Sequence, residues 1–346
     1  NENQGAISGG RRSASGSGGA HGSPIRAARG DGLGGGPDFR VSVDAGGYAW
    51  WYIDGISADG TRAVSVIGFI GSVFSPWYGW SGRHDPANHC CINVVTSGLT
   101  GRFTMTDRGR QALRQTRDRF EVGPSSLNWT GKELIIDINE WGAVPLALPL
   151  RGQIVLTPAA VTQSEVALTP DARHIWRPFA PIAHISVDFG PTNRWEGHGY
   201  FDANHGTRPL ESDFHAWTWG RFPLKERTVC FYDALRRSGD KLALGVEIDR
   251  DGQLREIAPP PLTPMPRTIW ALKRESRADI GTRPQQKLSL LEAPFYSRAV
   301  VETQIDGEKS LGMHEALDLK RFRFPLLKPM LAVRVPRRAK WPKAAG

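Results

Sequence analysis

Several things are scarce or missing in this sequence, and each narrows the field. Cysteine is scarce: three in 346 residues, with Cys90 beside Cys91 and Cys230 far away. That spacing builds neither a disulfide framework nor a Cys-x-x-Cys metal pair, so a reducing cytoplasmic setting is expected. Long apolar runs are missing. Val144 to Leu150 is short and holds two prolines, well below the roughly 18 to 20 residues of a spanning helix. The opening NENQGAISGGRRSASGSGGA lacks the apolar core of a secretory signal. There is no Walker loop, no GxGxxG behind a strand, no GxSxG and no HExxH, so no cofactor and no metal are expected.

The body also lacks an excess of charge. The chain carries 44 Lys and Arg against 35 Asp and Glu, a net charge of +9. Residues 319 to 346 hold Lys320, Arg321, Arg323, Lys328, Arg334, Arg337, Arg338, Lys340 and Lys343 and no acid, so the remainder is neutral. A nucleic-acid-binding domain spreads its bases over a folded face, so no nucleic-acid partner is expected.

Against these absences stand 39 Gly, 25 Pro and 12 Trp in a chain of ordinary hydrophobic content, 40%. Helix breakers with large aromatics favour strands. GGYAWWYIDGISADGTRAVSVIGFIGS reads as two strands about a turn at Asp59-Gly60, and short alternating runs continue to Leu319. Only Gly109 to Phe120 and Thr268 to Arg274 suggest helices. The expected organisation is a disordered Gly/Ser-rich tail (1–36), a first β unit (37–170), a second β unit (171–318) and a basic segment (319–346). Their joint is placed in the Pro-containing LTPDARHIWRPFAP, residues 168 to 181.

RWEGHGYFDANHG, 194 to 206, stands out. As a strand it points Glu196, His198, Tyr200 and Asp202 to one face and Trp195, Gly197, Gly199 and Phe201 to the other. That face is read in three ways: a wet surface, a metal site from His198, Asp202 and His205, or a buried acid at Asp202 among aromatics. His174 and Trp176 share a face by the same parity. Trp217, Trp219 and Arg221 read most simply as core, and Tyr48, Trp50, Trp51 and Tyr52 with GSVFSPWYGW (71–80) as core or the lining of an apolar cavity.

The ordered blocks GGYAWWYIDGISADG, GFIGSVFSPWYGWSGRHDPANHCCINV, MTDRGR, GPSSLNW, HIWRPFAPIAHISV, GYFDANHGTRPLE, WTWGR and MHEALDLKRF with VPRR, from about Gly46 to Arg338, resemble the carotenoid 1,2-hydratase (hydroxyneurosporene synthase) family. The resemblance implies a mainly β protein of two lipocalin-like antiparallel barrel or sandwich domains in tandem. It implies cofactor-independent addition of water to the terminal C1=C2 bond of acyclic carotenoids such as neurosporene or lycopene, in carotenoid biosynthesis of photosynthetic bacteria. By motif it assigns Asp202 as the acid, with Tyr200, His174 and Trp176 beside it. The sequence departs from the expected pattern at Gly220 in WTWGR and in the VVTSG run.

A solvated aspartate with pKa about 3.9 is ionised near neutrality, so Asp202 is expected to be buried, with Tyr200 and Trp176 desolvating it and stabilising a tertiary cation. His174 is expected to orient or deprotonate the water. A carotenoid or lipid carrier and a polyene cyclase of the same architecture remain alternatives. The basic segment, which also bears aromatics, predicts peripheral attachment to an anionic membrane surface on the cytoplasmic side, weakened by truncation after about Leu319.

Overall fold

The computed structural model describes residues 23–28, 32–98 and 101–340. Most of these residues lie in two antiparallel sheets. The larger runs from Arg119–Val122 through Ser125–Trp129, Leu134–Trp141, Pro149–Pro158, His174–Asp188, Arg194–Gly206, Tyr48–Ser57 and Ala63–Ile70 to Cys90–Thr96. The smaller has seven strands in the order Leu254–Ile257, Lys241–Asp249, Arg227–Arg236, Phe214–Pro223, Glu308–Asp318, Tyr296–Ile305 and Gln285–Ala293. The expected mainly β, lipocalin-like architecture is present, with both sheets left open instead of closed into barrels.

Burial on both faces explains the unusual text of Tyr48–Ser57. All ten residues are buried. Trp51 and Ile53 point into the core enclosed by the first sheet, while Trp50, Tyr52 and Ile56 point into an apolar layer between the two sheets. A strand covered on both sides has no wet face to alternate with, so it reads as an aromatic run.

The prolines near residue 180 mark a kink within a sheet. His174–Asp188 pairs with Arg194–Gly206 along most of its length, and the register slips between Pro178 and Ala183. Proline brings no N–H to the ladder, so two of them here force irregular pairing without ending the strand. The proposed boundary after residue 170 thus falls inside the first sheet, and the chain changes sheet at 207–213.

Three local expectations change as well. Ile25–Ala27, within the expected disordered tail, pairs with Ser164–Ala167; residues 1–22 and 29–31 lie outside the described residues. Gly109 to Phe120 holds one 3-10 turn, Arg110–Ala112, followed by two strands, because Phe120 and Val122 alternate into the first core at a strand's period. Thr268 to Arg274 is a turn leading into Arg274–Arg277.

The basic segment is part of the fold as far as it is described. Leu319, Phe322 and Val335 are buried in the layer between the sheets, and Leu327–Arg334 is a short helix. Arg337–Arg338 then pairs in parallel with Asp107–Arg108 of the first sheet, and Arg337 donates to the fully buried carboxylate of Asp107. Trp341 and Lys343 lie outside the described residues.

Candidate active site

The site lies in the seam between the sheets, and Arg194–Gly206 supplies its acid. Strand alternation sends Phe201 into the first core, where it stacks on Phe179 at 5.1 Å, and turns Tyr200, Asp202 and Asn204 toward the second sheet. The parity expected from the sequence holds, and the Tyr200–Asn204 part of that face is buried, not wet.

Asp202 is 2% exposed. Its Oδ2 accepts from the Tyr200 hydroxyl at 2.6 Å and from the Trp176 indole N–H at 2.8 Å. The same indole also reaches the Tyr200 oxygen at 3.2 Å. Oδ1 has no hydrogen-bond partner among the described residues. Burial pushes the carboxyl up to about 8; Glu315 and Asp54 add to the rise, and the two donors on Oδ2 oppose it by favouring the anion. Near neutral pH the group is therefore mainly the protonated acid.

A cavity of about 30 Å³ adjoins Asp202. Trp50, Tyr52 and Asn204 line it from the first sheet, Trp217, Trp219 and Tyr232 from the second. Tyr200 and Trp176 stand behind the acid, so the rings that face the cavity are largely others. Tyr52 and Trp219 meet edge to face at 5.4 Å, and Trp217 meets Tyr232 at 6.3 Å. The indole N–H groups of Trp217 and Trp219 are buried without a partner among the described residues.

Two fully buried arginines of the second sheet fix the seam. Arg221 donates through Nε to Asp54 at 2.9 Å, with Nη2 on the same oxygen, and through Nη1 to His198 Nδ1 at 2.9 Å. Burial and the Arg221 charge push His198 down to about 3, so it is a neutral acceptor. Arg298 holds Glu315 at 2.7 Å, the Ser65 hydroxyl at 2.7 Å and the Tyr296 hydroxyl at 2.6 Å, and lies over the Tyr52 ring.

Of the four predicted site residues, Asp202, Tyr200 and Trp176 meet. His174 does not join them. Its Nδ1 pairs with the Tyr48 hydroxyl at 2.7 Å and its Nε2 with Asp213 at 2.8 Å, so both ring nitrogens are engaged. In register it faces Gly206, four residues along the strand from Asp202. Burial pulls its pKa below the ordinary value, with Asp213 opposing. The metal reading fares no better: His205 faces a groove on the other side with Trp51 and Arg177, and His198 is held by Arg221.

Asn204, Tyr232 and Arg221 went unrecognised as site residues. Asn204 shares the parity of Asp202 and was open to recognition. Tyr232 and Arg221 enter only through pairing between sheets.

The profile described as "Carotenoid hydratase CrtC" matches residues 66–344. The acyclic carotenoid 1,2-hydratase of Rhodobacter capsulatus is 68% identical over 277 residues, covering 80% of this chain and 99% of that protein. The protein of the same name from Cereibacter sphaeroides is 60% identical over 276 residues, covering 80% and 99%. Among solved structures, a putative AttH from Nitrosomonas europaea superposes with a TM-score of 0.51 at 14% identity, covering 79% of this chain and 92% of that one, a likeness of fold alone. The matched profile takes in His174, Trp176, Tyr200, Asp202 and every strand of the second sheet, and this chain belongs to the carotenoid hydratase family.

Proposed function

We propose that this protein is an acyclic carotenoid 1,2-hydratase, a hydro-lyase that adds water to the terminal C1=C2 bond of substrates such as neurosporene or lycopene. The observation that carries this reading is Asp202: a buried acid held protonated near neutrality, with one oxygen anchored and the other unpartnered beside an aromatic cavity. Hydration is redox-neutral and needs an acid, a water and a place for positive charge. The Oδ1 proton passes to C2 and leaves a tertiary cation at C1. The rings of Trp217, Trp219 and Tyr232 line the cavity beside the acid, so a chain end that widens this cavity of about 30 Å³ as it enters would set its charge against them, where one desolvated cation–ring contact is worth about 2 kcal/mol. Water attacks C1, and the protonated alcohol returns its proton to the Asp202 carboxylate. Tyr200 and Trp176, already donating to Oδ2, stabilise that carboxylate while it lasts.

With both nitrogens engaged, His174 is a positioning residue. It ties the start of its strand to Tyr48 and Asp213, two residues before the Trp176 that anchors the acid.

The test is anaerobic incubation with neurosporene and with lycopene, read by product mass. Hydration adds one water per chain end, cyclisation adds nothing, and a carrier returns its ligand. Asp202→Asn keeps the shape of the site and should lower turnover by about 10²- to 10⁴-fold with folding intact. Turnover near the parent's in that variant would remove Asp202 from the role of acid.

The substrate is a long hydrocarbon that dissolves in bilayers, and the reading extends to where the protein meets it: peripherally, on the cytoplasmic face of an anionic membrane. The helix Leu327–Arg334 supports this. Leu327 and Leu331 pack inward, while Leu326, Met330 and Val333, spaced as one stripe, are exposed. Beyond Arg334, whose guanidinium lies over Phe103, a groove reaches the exposed Leu146 and Leu148. Lys320 and Arg323 are exposed nearby with no acidic partner among the described residues. Exposed apolar side chains and unpaired cations within one short stretch, residues 320 to 333, match an anionic lipid surface.

A further inference from the structure

The proposed reaction needs a water delivered to one carbon while the acid serves its neighbour, and the cavity has a polar wall that the acid does not use. Asn204 is two residues beyond Asp202 on the same face of one strand, roughly 7 Å away by strand rise. It is buried, lines the same cavity, and donates through Nδ2 to the Tyr232 hydroxyl at 3.3 Å. Tyr232 comes from the second sheet, where it pairs with Trp219. Having accepted from Asn204, the phenol keeps its own proton to donate, and the amide carbonyl of Asn204 can accept. Burial pushes Tyr232 well above its ordinary value, so it stays a phenol. At about 30 Å³ the cavity has room for a water, and Asn204 and Tyr232 give it the polar partners that a buried water needs.

We propose that Asn204 and Tyr232 hold the water that captures the C1 cation, with Tyr232 donating to its oxygen and the Asn204 carbonyl accepting one of its protons. This rests on Asp202 being the acid. The Oδ1–H bond breaks as the π pair forms C2–H. A lone pair of the held water forms O–C1, and the oxonium proton goes to the Asp202 carboxylate. If the water is missing or misplaced, the cation has one other exit: loss of a proton, from C2 or from a methyl on C1, back to the same carboxylate.

That second exit gives the test. The full chain, Asn204→Leu, Tyr232→Phe and Asp202→Asn are each incubated with lycopene in D₂O. For the first two variants hydration should fall about 10²-fold, the scale expected for a misplaced reactant, while deuterium still enters unhydrated carotenoid. That carotenoid is the returned substrate or its terminal-methylene isomer. Asp202→Asn should lose both hydration and deuterium uptake; if it kept both, the acid reading would fall first. The proposal itself is overturned if Tyr232→Phe and Asn204→Leu hydrate at the parent's rate. It is equally overturned if they lose deuterium uptake along with hydration, since the pair would then serve the acid and not the water. Tyr232→Phe removes one oxygen and keeps the ring, so it decides the matter even if Asn204→Leu fails to fold.

Discussion

At the scale of single residues, the protonation of Asp202 makes a prediction of definite sign. The folded protein holds the proton up to about pH 8, whereas an exposed aspartate releases it near 3.8. The acid form performs the reaction, so turnover should be flat below about pH 7 and decline as pH passes 8, read from a pH–rate profile. Stability follows the same proton. The folded state binds it where the unfolded chain does not, so this group's contribution is present below 3.8 and is lost as pH rises to about 8. Asp202→Asn has no such proton, and in urea melts its stability relative to the parent should increase across that interval. A flat difference between pH 4 and 8 would contradict the assignment. His198 runs the other way: held down to about 3, it takes up its proton more readily when unfolded, and stability is lost as pH falls from about 6.5 toward 3.

At the scale of elements, parity was legible in the sequence and distance along a strand was not. Period-2 alternation correctly put Tyr200 and Asp202 on one face, and His174 with Trp176 on another shared face. It could not say that Trp176 pairs with Asn204 and His174 with Gly206, which leaves the histidine out of reach of the acid. Tyr232 and Arg221 were hidden for a different reason: their places depend on how one sheet lies on another, and no local pattern encodes that. The prolines misled because they break both linkers and ladders, and Pro178, the register partner of Asp202, does the latter. Arg221 offers the matching test. It is fully buried and its guanidinium joins Asp54 and His198 across the seam. Arg221→Met should leave a buried carboxylate without its partner and cost about 3 to 5 kcal/mol, measured by denaturant unfolding. Arg221→Met combined with Asp54→Asn should recover much of that loss. Destabilisation of the double variant equal to the sum of the Arg221→Met and Asp54→Asn losses would mean that the pair is not coupled.

At the scale of the whole molecule, the mainly β composition, the lack of a helix bundle among the described residues and the neutral body were all readable from the sequence, and so was the location of the surplus charge. The role given to that charge needs revision, because Arg337 is committed to Asp107 and the chain around it is packed. Truncation after Leu319 would remove part of the core along with any lipid contact, so it is a poor probe. Replacing Leu326, Met330 and Val333 together by serine changes only exposed side chains. That variant should bind phosphatidylglycerol vesicles at least about tenfold more weakly, since each buried CH₂ contributes about 0.8 kcal/mol. Its turnover on detergent-dispersed carotenoid should stay near the parent's. Unchanged vesicle binding would refute the lipid contact, and a dimer of the parent that the serines dissolve would assign this face to a second copy of the chain.

The parallel pairing of Arg337–Arg338 with Asp107–Arg108 also bears on synthesis. Asp107 leaves the ribosome 230 residues before the guanidinium that neutralises it. Until then the strand beside Cys90–Thr96 has an unfinished border, and the buried Asp107 carboxylate has the Ser75 hydroxyl and the His89 ring but no guanidinium to meet. The first sheet therefore cannot reach its final state as an independent early product of translation. It waits for Arg337–Arg338, and a stretch made 230 residues later completes the border that Asp107–Arg108 left open.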